Sequence, residues 1–382
     1  MAQWNRVPLI DYIELIGGGT PKTTVPEYWN GNIPWLSVKD FNNDKRYVYS
    51  TEKHISQSGF ENSPTKMLHK DDIIISARGT VGEIAMIPFD MAFNQSCYGI
   101  RASRGIDQPF LYYLLKNCIS QLKRMTHGSV FDTITRDTFA NIEVDIPDAE
   151  TQKRISSVLA DIDNKIEVND AINDNLHQQA ATLFKALFVD LTPFDGTMPP
   201  NWTISTLGDA TEMGAGSDKP KESSPVKTPL CPYPIYSNGI NDYGLYGYTN
   251  DPKIKVESVT VSARGTIGYV CLRHTPYVPI VRLVTLIPDT KVLSAKYLYL
   301  YLRQLHITGT GTTQQQLTVP DFRKTEIIIP DKNTMDSFTE TVTPLFEQIW
   351  ANEDENTKLA EVRDALLPKL MSGEIDVSDI QL

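Results

Sequence analysis

Residues 76–82 read SARGTVG and residues 262–268 read SARGTIG, one seven-residue phrase written twice with a single Val-to-Ile exchange. A favoured turn could recur by chance, so the flanks decide. Trp4 and Leu9 are matched by Trp202 and Leu207, and FLYYLLK at 110–116 by YLYLYLR at 297–303. Gly128, Ile134, Thr135, Phe139, Ile146 and Pro147 are matched by Gly311, Leu317, Thr318, Phe322, Ile329 and Pro330. The offsets run from 183 to 198: order is kept while loops drift in length, which marks an internal duplication.

After each Ile-Pro the turn-punctuated, β-rich texture gives way to a long stretch without glycine and with heptad spacing, as a coiled-coil helix requires. The first seam runs Ile155, Leu159, Ile162, Ile166, Asn169, Asn173, Leu176, Ala180, Leu183, Leu187. Every position returns 183 residues later, from Phe338 to Leu370, with Asn352 and Asn356 repeating the polar interruption. Each seam spans roughly 50 Å at the helical rise, and two such apolar stripes should pair. Antiparallel pairing makes the halves equivalent, and a buried Asn169/Asn173/Asn352/Asn356 layer would fix register and orientation. The alternative, asparagines at solvated positions of helices resting on a domain, stays open. Pro344 removes one helical bond and predicts a break or restart near Thr343.

The expected fold is therefore α+β. Two mixed, β-rich domains at 1–148 and 192–330 stand in pseudo-two-fold arrangement, separated by long helices at 149–191 and, with a short tail, 331–382, which form an antiparallel coiled coil. Apolar runs such as IIIS at 73–76 fall far short of a membrane span, and MAQWNRVPL has no apolar core of a signal peptide, which predicts a cytoplasmic chain without membrane contact. Cys97, Cys118, Cys231 and Cys271 form no C-x-x-C pair and the six histidines no H-E-x-x-H, so neither a disulfide framework nor a structural metal is expected.

The net charge of -11 argues at first against nucleic acid, but the acid is not evenly spread. The two helical segments hold 8 basic and 19 acidic residues, which leaves 28 of each sign on the globular domains. There, basic residues mix with Thr, Ser, Asn and Gln in loops such as GGGTPKTT at 17–24, SVKD at 37–40 and GTGTTQQQ at 309–316. Such side chains suit phosphates and base edges.

The W-x-x-V-x-L start at Trp4, GGGTPKT at 17–23, EYWNG at 27–31, IPWLSVKDF at 33–41, the doubled S-A-R-G-T-[VI]-G, the Ile-Pro helix entries and LLPKLMSGEIDV at 366–377 together resemble the specificity subunit of type I restriction-modification systems. The resemblance covers essentially the whole chain. It implies two target-recognition domains, each reading half of a split double-stranded DNA site, and helices that space them and dock two modification (methyltransferase) subunits, with motor-nuclease restriction subunits as further partners. It implies no catalysis in this chain: S-adenosylmethionine, ATP and Mg belong to the partners. The residues agree, since there is no Asn-Pro-Pro-aromatic tetrad, and GGGTPKT lacks the Gly before Lys22 that a phosphate-binding loop needs. Two readers on a strut of about 50 Å could address DNA segments a helical turn of about 34 Å apart.

The readers differ. The first has TP, EYW and IPWL between 20 and 36, and the second has PYPIYSNGINDYGLYGY at 232–248 instead, which predicts unlike half-sites. In the shared phrase the glycines permit a tight strand exit, and Arg78, Thr80, Arg264 and Thr266 are candidates for DNA contact. Near-identical residues suit phosphate or structural anchoring better than discrimination. Candidates from the variable loops are Thr20, Lys22, Thr23, Lys39, His127 and Ser129 in the first domain and Tyr236, Asn238, Gln314, Gln315 and Gln316 in the second, with plain loop polarity as the competing explanation for each. Thr135 and Thr318 read as helix N-caps, and Tyr112, Tyr113, Tyr299 and Tyr301 as core. Phe184, Phe188 and Trp350, beyond the narrow seam, are expected to offer surface to partner helices. Two rivals stand beside this: a coiled-coil adaptor with paired ligand-binding domains that binds no DNA, and a self-sufficient nuclease or methylase.

Overall fold

One element order is laid down twice. The structure, a computed structural model, describes residues 4–126, 133–309 and 316–380. The chain divides into two compact units, Met1–Ala171 with Asn352–Leu382 and Ile172–Ala351. The division falls within the two long helices, so each unit owns a portion of both.

Unit 1 is built on an antiparallel sheet of β1 (Ile13–Gly17), β2 (Ile73–Ser76), β3 (Ile84–Met86) and β4 (Cys97–Ala102), ordered β1-β4-β2-β3. Unit 2 repeats it with β5 (Thr211–Ala215), β6 (Ser258–Val261), β7 (Val270–Arg273) and β8 (Val284–Pro288), ordered β5-β8-β6-β7. The central strands IIIS and SVTV are β-branched but for one serine each, and are buried along their whole length because both faces are covered. Ile73 and Ile75 face the core that holds Phe110 and Leu115 of helix α1 (Gln108–Thr126), while Ile74 faces Leu36 and Phe93 of a second, smaller sheet. The first long helix, α2, spans Ala149–Phe184; in unit 2, Val259 and Val261 pack with Tyr297 and Leu298 of α3 (Ala295–Gln304).

Each smaller sheet contains a parallel pair that leads into the last strand of the main sheet. In unit 1, Trp35 and Leu36 pair with Ala92 and Phe93; in unit 2, Ile235 and Tyr236 pair with Val278 and Pro279. PYPIY thus takes the place of IPWL, although the sequences share no obvious correspondence. A strand in that position needs buried apolar residues, not particular ones.

The second long helix, α4 (Lys332–Met371), runs without interruption through Pro344. The expected break is absent: the helix continues through Pro344, which is exposed, and forgoes there the bond to the Glu340 carbonyl. Thr339, Thr341 and Thr343 donate their hydroxyls to the carbonyls of Met335, Ser337 and Thr339 through the same stretch. At the other end, α2 stops being regular at Phe184, passes through a π-turn at Lys185–Val189, and closes where Leu191 adopts φ 50°.

The helices pack antiparallel within each unit. In unit 1, Asp163 meets Arg363 and Asn169 meets Asn356, so one number rises as the other falls. In unit 2, His177 faces Phe346 and Phe184 faces Phe338. Asn169, Asn173 and Asn352 are buried and Asn356 half-buried, which removes the solvated alternative. The Asn169 amide donates to Asn356 Oδ1 (2.8 Å) and Glu355 Oε2 (2.7 Å), and Asn356 donates to Asp170 (3.0 Å).

Around these helices the units diverge. In unit 1, Arg363 holds Asp163 (3.0 Å) and Asp44 (2.9 Å), Tyr113 donates to Asp163 (2.7 Å), and Lys116 reaches Asp44 (2.9 Å). The repeat aligns Asp163 and Arg363 with Phe346 and Ala180, both buried in unit 2 among aromatic rings. Phe184 and Phe188 belong to that cluster, meeting Tyr297 and Phe338 edge-on or tilted, and Trp350 stacks on His274 with ring centres 4.1 Å apart. Phe184 and Phe188 are not the open docking surface that a narrow seam suggested, because α3 covers the flank of the helix pair, while Trp350 is half-buried. Tyr112, Tyr113 and Tyr299 are buried as expected.

Candidate nucleic-acid interface

The repeated phrase folds into the same turn in both units. Ser76 and Ser262 are buried at the ends of β2 and β6. Each hydroxyl donates to the carbonyl of Thr80 or Thr266, and each accepts an amide in return, from Glu83 (2.8 Å) or Tyr269 (2.9 Å). A serine fits here because one small side chain must both donate and accept inside the bend. Gly79, Gly82, Gly265 and Gly268 have φ of 79°, 85°, 69° and 84°, the left-handed region where side chains are strained. The chain is thereby turned so that Arg78, Thr80, Arg264 and Thr266 are exposed.

In unit 1 two further loops gather at this turn. Ala77 and Arg78 donate their amides to Ser96 O (2.8 and 3.2 Å), and the adjacent Gln95 accepts a hydrogen bond from Thr20. Thr20 is brought in by the glycine run: a Cβ on Gly18 would lie 2.0 Å from Asn94 O, and one on Gly19 2.3 Å from Thr65 N. Thr20 and Arg78 therefore share one surface through Asn94, Gln95 and Ser96. Lys22 and Thr23 follow in the same loop, exposed, with the Lys22 carbonyl accepting Trp29 Nε1 (3.3 Å). Lys39 is exposed on the short helix Val38–Phe41. Lys22, Thr23 and Lys39 have no hydrogen bond to the Arg78 group among the described residues.

In unit 2, Arg264 Nη2 donates to Gln316 Oε1 (3.1 Å), which brings two predicted residues together. Asn238 is also at this turn, but its amide is engaged internally: Oδ1 accepts from Ala263 N (2.7 Å) and Nδ2 donates to Val281 O (2.6 Å). Tyr236 lies under the Arg273 guanidinium, 3.6 Å from ring centre to carbon, and burial raises its hydroxyl pKa above the ordinary 10.0. Its ring is committed to packing. His127, Ser129, Gln314 and Gln315 lie outside the described residues.

Sequence reasoning did not single out the corner that precedes the last sheet strand, Gln95–Ser96 in unit 1, bonded directly to the turn, and Val281–Arg282 in unit 2, joined to it through Asn238. The signal was the turn's own offset of 186, which pairs Gln95 with Val281 and Ser96 with Arg282. Tyr243 and Tyr246 are exposed on the neighbouring hairpin of unit 2. Thr135 and Thr318 cap their helices, accepting from the amides of Thr138 and Asp321. Among the described residues there is no cluster of three His, Cys, Asp or Glu able to hold a metal, and no helix long and apolar enough to cross a membrane.

The sequence profile of the family described as the type I restriction modification DNA specificity domain matches residues 1–178 and again 199–361. The chain belongs to this family. It carries two copies of the specificity domain. It is 28% identical to the type I restriction enzyme MjaIX specificity subunit of Methanocaldococcus jannaschii, over 99% of this chain and 94% of that one. The HindI specificity subunit of Haemophilus influenzae is 27% identical over 70% of this chain and 77% of its own length. The fold is similar to that of the type I restriction-modification S subunit from M. genitalium (TM-score 0.58, 15% identity, 97% and 96% of the two chains). The adaptor reading finds no support among these relatives.

Proposed function

We propose that this specificity subunit is the non-catalytic reader of a type I restriction-modification complex. It recognises a bipartite, asymmetric site in double-stranded DNA, one half with each unit. It also docks two modification subunits, and restriction subunits where the system has them. S-adenosylmethionine, ATP and Mg are assigned to those partners, and no cofactor to this chain; its place of work is the cytoplasm. One observation carries the reading: the same serine-stapled turn presents an exposed arginine and threonine in each unit, on frames whose surrounding loops differ. A shared phosphate-binding element with unlike neighbours is what two different half-sites call for.

The test is methylation-aware sequencing of DNA exposed to the chain co-purified with its modification subunits. The expected result is one discontinuous motif with two unlike halves and a fixed gap. Methylation without a motif, or at one contiguous motif, overturns the reading. Purified alone, the chain is expected to transfer no methyl group from S-adenosylmethionine and to cut no DNA with Mg. Light scattering of the complex is expected to give two modification subunits per chain, and a value of one contradicts the stoichiometry.

A further inference from the structure

The doubled turn cannot by itself tell two half-sites apart, because its exposed groups are the same in both units. What differs is the corner attached to it. In unit 1 the corner is tied directly to the turn through Ser96 O, which accepts the amides of Ala77 and Arg78. In unit 2 the corner stands off, and Asn238 bridges the gap, accepting from Ala263 N (2.7 Å) while donating to Val281 O (2.6 Å). Turn and corner are thus one mechanical piece in each unit, with Gln95–Ser96 exchanged for Val281–Arg282.

The unit 2 corner is strained. Val281 and Arg282 are consecutive residues at φ 53° and 61°, and a β-branched residue in the left-handed region is a true outlier. Two backbone bonds hold them there, Val281 N to Ser217 O and Arg282 N to Gly216 O, both 2.9 Å. Neither side chain offsets the strain by packing, since Val281 is 50% exposed and Arg282 is exposed with no polar side-chain partner among the described residues. Strain maintained by surrounding bonds to display exposed side chains is characteristic of a contact surface.

We propose that this corner is where each unit discriminates its half-site, with Arg282 reading a base edge for unit 2 and Asn238 positioning it. The inference rests on the DNA-reading function above and assigns it to residues. A guanidinium matches the two acceptors of guanine in the major groove, valine methyls match the thymine methyl, and the carboxamide of Gln95 in unit 1 matches adenine. Asn238 is a positioning residue, because both its amide groups are already taken within the unit.

The experiment uses the full chain with its modification subunits and a randomised double-stranded DNA library, scored by methylation of each sequence. Arg282→Ala is expected to lower preference at one base position of one half-site by about 5- to 150-fold, leaving the other half-site unchanged. Asn238→Ala is expected to weaken preference at that same position, and the Asn238→Ala/Arg282→Ala pair to lose no more than Arg282→Ala alone, a non-additivity that a merely structural role would not produce. If Arg282→Ala lowers the thermal midpoint, Arg282→Lys carries the test, since it keeps charge and reach and loses the fork. Uniform weakening across all sequences with a shallower salt dependence, or an unchanged preference, overturns the proposal. A wild-type complex that favours no sequence instead overturns the function on which it rests.

Discussion

The serine of the repeated phrase joins the two strands of a bend with one hydroxyl, and it is buried in both units. Ser76→Ala leaves a buried amide and a carbonyl unpartnered, so unit 1 should lose about 1–3 kcal/mol in urea unfolding. The glycines separate two kinds of constraint. A Cβ on Gly79 or Gly265 meets nothing within 4 Å, so Gly79→Ala is opposed only by its φ of 79° and should cost about 1–2 kcal/mol. A Cβ on Gly268 would lie 2.9 Å from Ile307 O, a backbone atom that cannot swing aside, so Gly268→Ala should cost more than Gly265→Ala. Equal losses at positions 265 and 268 would mean that backbone conformation alone sets the glycine requirement. Arg78 and Thr80 contribute no side-chain bond to this frame among the described residues, so Arg78→Ala should leave the unfolding midpoint unchanged while weakening DNA binding.

At the scale of the helices, the two packing centres solve one problem with opposite chemistry: a buried Asp163–Arg363 pair in unit 1, and Phe346 beside Ala180 in unit 2. Removing one partner of a buried pair strands a charge, so Arg363→Met should cost about 3–5 kcal/mol. The double change Asp163→Phe with Arg363→Ala copies unit 2 and should recover much of that loss; a double variant no more stable than Arg363→Met would show that Asp44 and Tyr113 depend on the pair. Pro344→Ala restores the bond to Glu340 O at an exposed position and should stabilise by about 1–3 kcal/mol. The seam of α2 and α4 was legible in the sequence because heptad spacing survives duplication. The burial of Phe184 and Phe188 was not, because a helix that also carries a globular layer on its flank buries a wider stripe than a two-stranded coil. The break at Pro344 was misjudged because sequence shows the missing donor but not the packing on either side that keeps α4 continuous.

Over the whole molecule the duplicated topology was readable from aligned motifs, whereas the reading surface was only half visible. Arg78, Arg264 and Thr20 stood in recognisable phrases. Asn238 looked like a base reader because its polarity is evident and its bonds to Ala263 and Val281 are not, while Gln95 and Arg282 lie where the repeats share position but no identity. The unlike helix centres predict that the two units respond differently to acid. His177 in unit 2 lies edge-on to Phe346 with ring centres 6.0 Å apart; burial, and then Arg303, hold its imidazole below the ordinary 6.5, with Asp174 opposing. The unfolded chain then takes up the proton more readily than the folded unit, so this contribution to stability is complete above pH 6.5 and is lost as pH falls through the lowered folded value. In unit 1 burial opposes ionisation of Asp44, yet Lys116 and Arg363 keep its carboxyl below the ordinary 3.8, so its contribution persists until the pH drops beneath that value. Burial raises the Glu167 carboxyl above 4.5, so acidification relieves unit 1 there instead of weakening it. Calorimetry between about pH 7.5 and about pH 5 should therefore show the unit 2 transition moving to lower temperature while that of unit 1, identified by its response to Arg363→Met, does not fall. His177→Gln should abolish the movement. Parallel shifts of both transitions, or a shift that survives the glutamine, would place the acid sensitivity elsewhere than at the helix centre of unit 2.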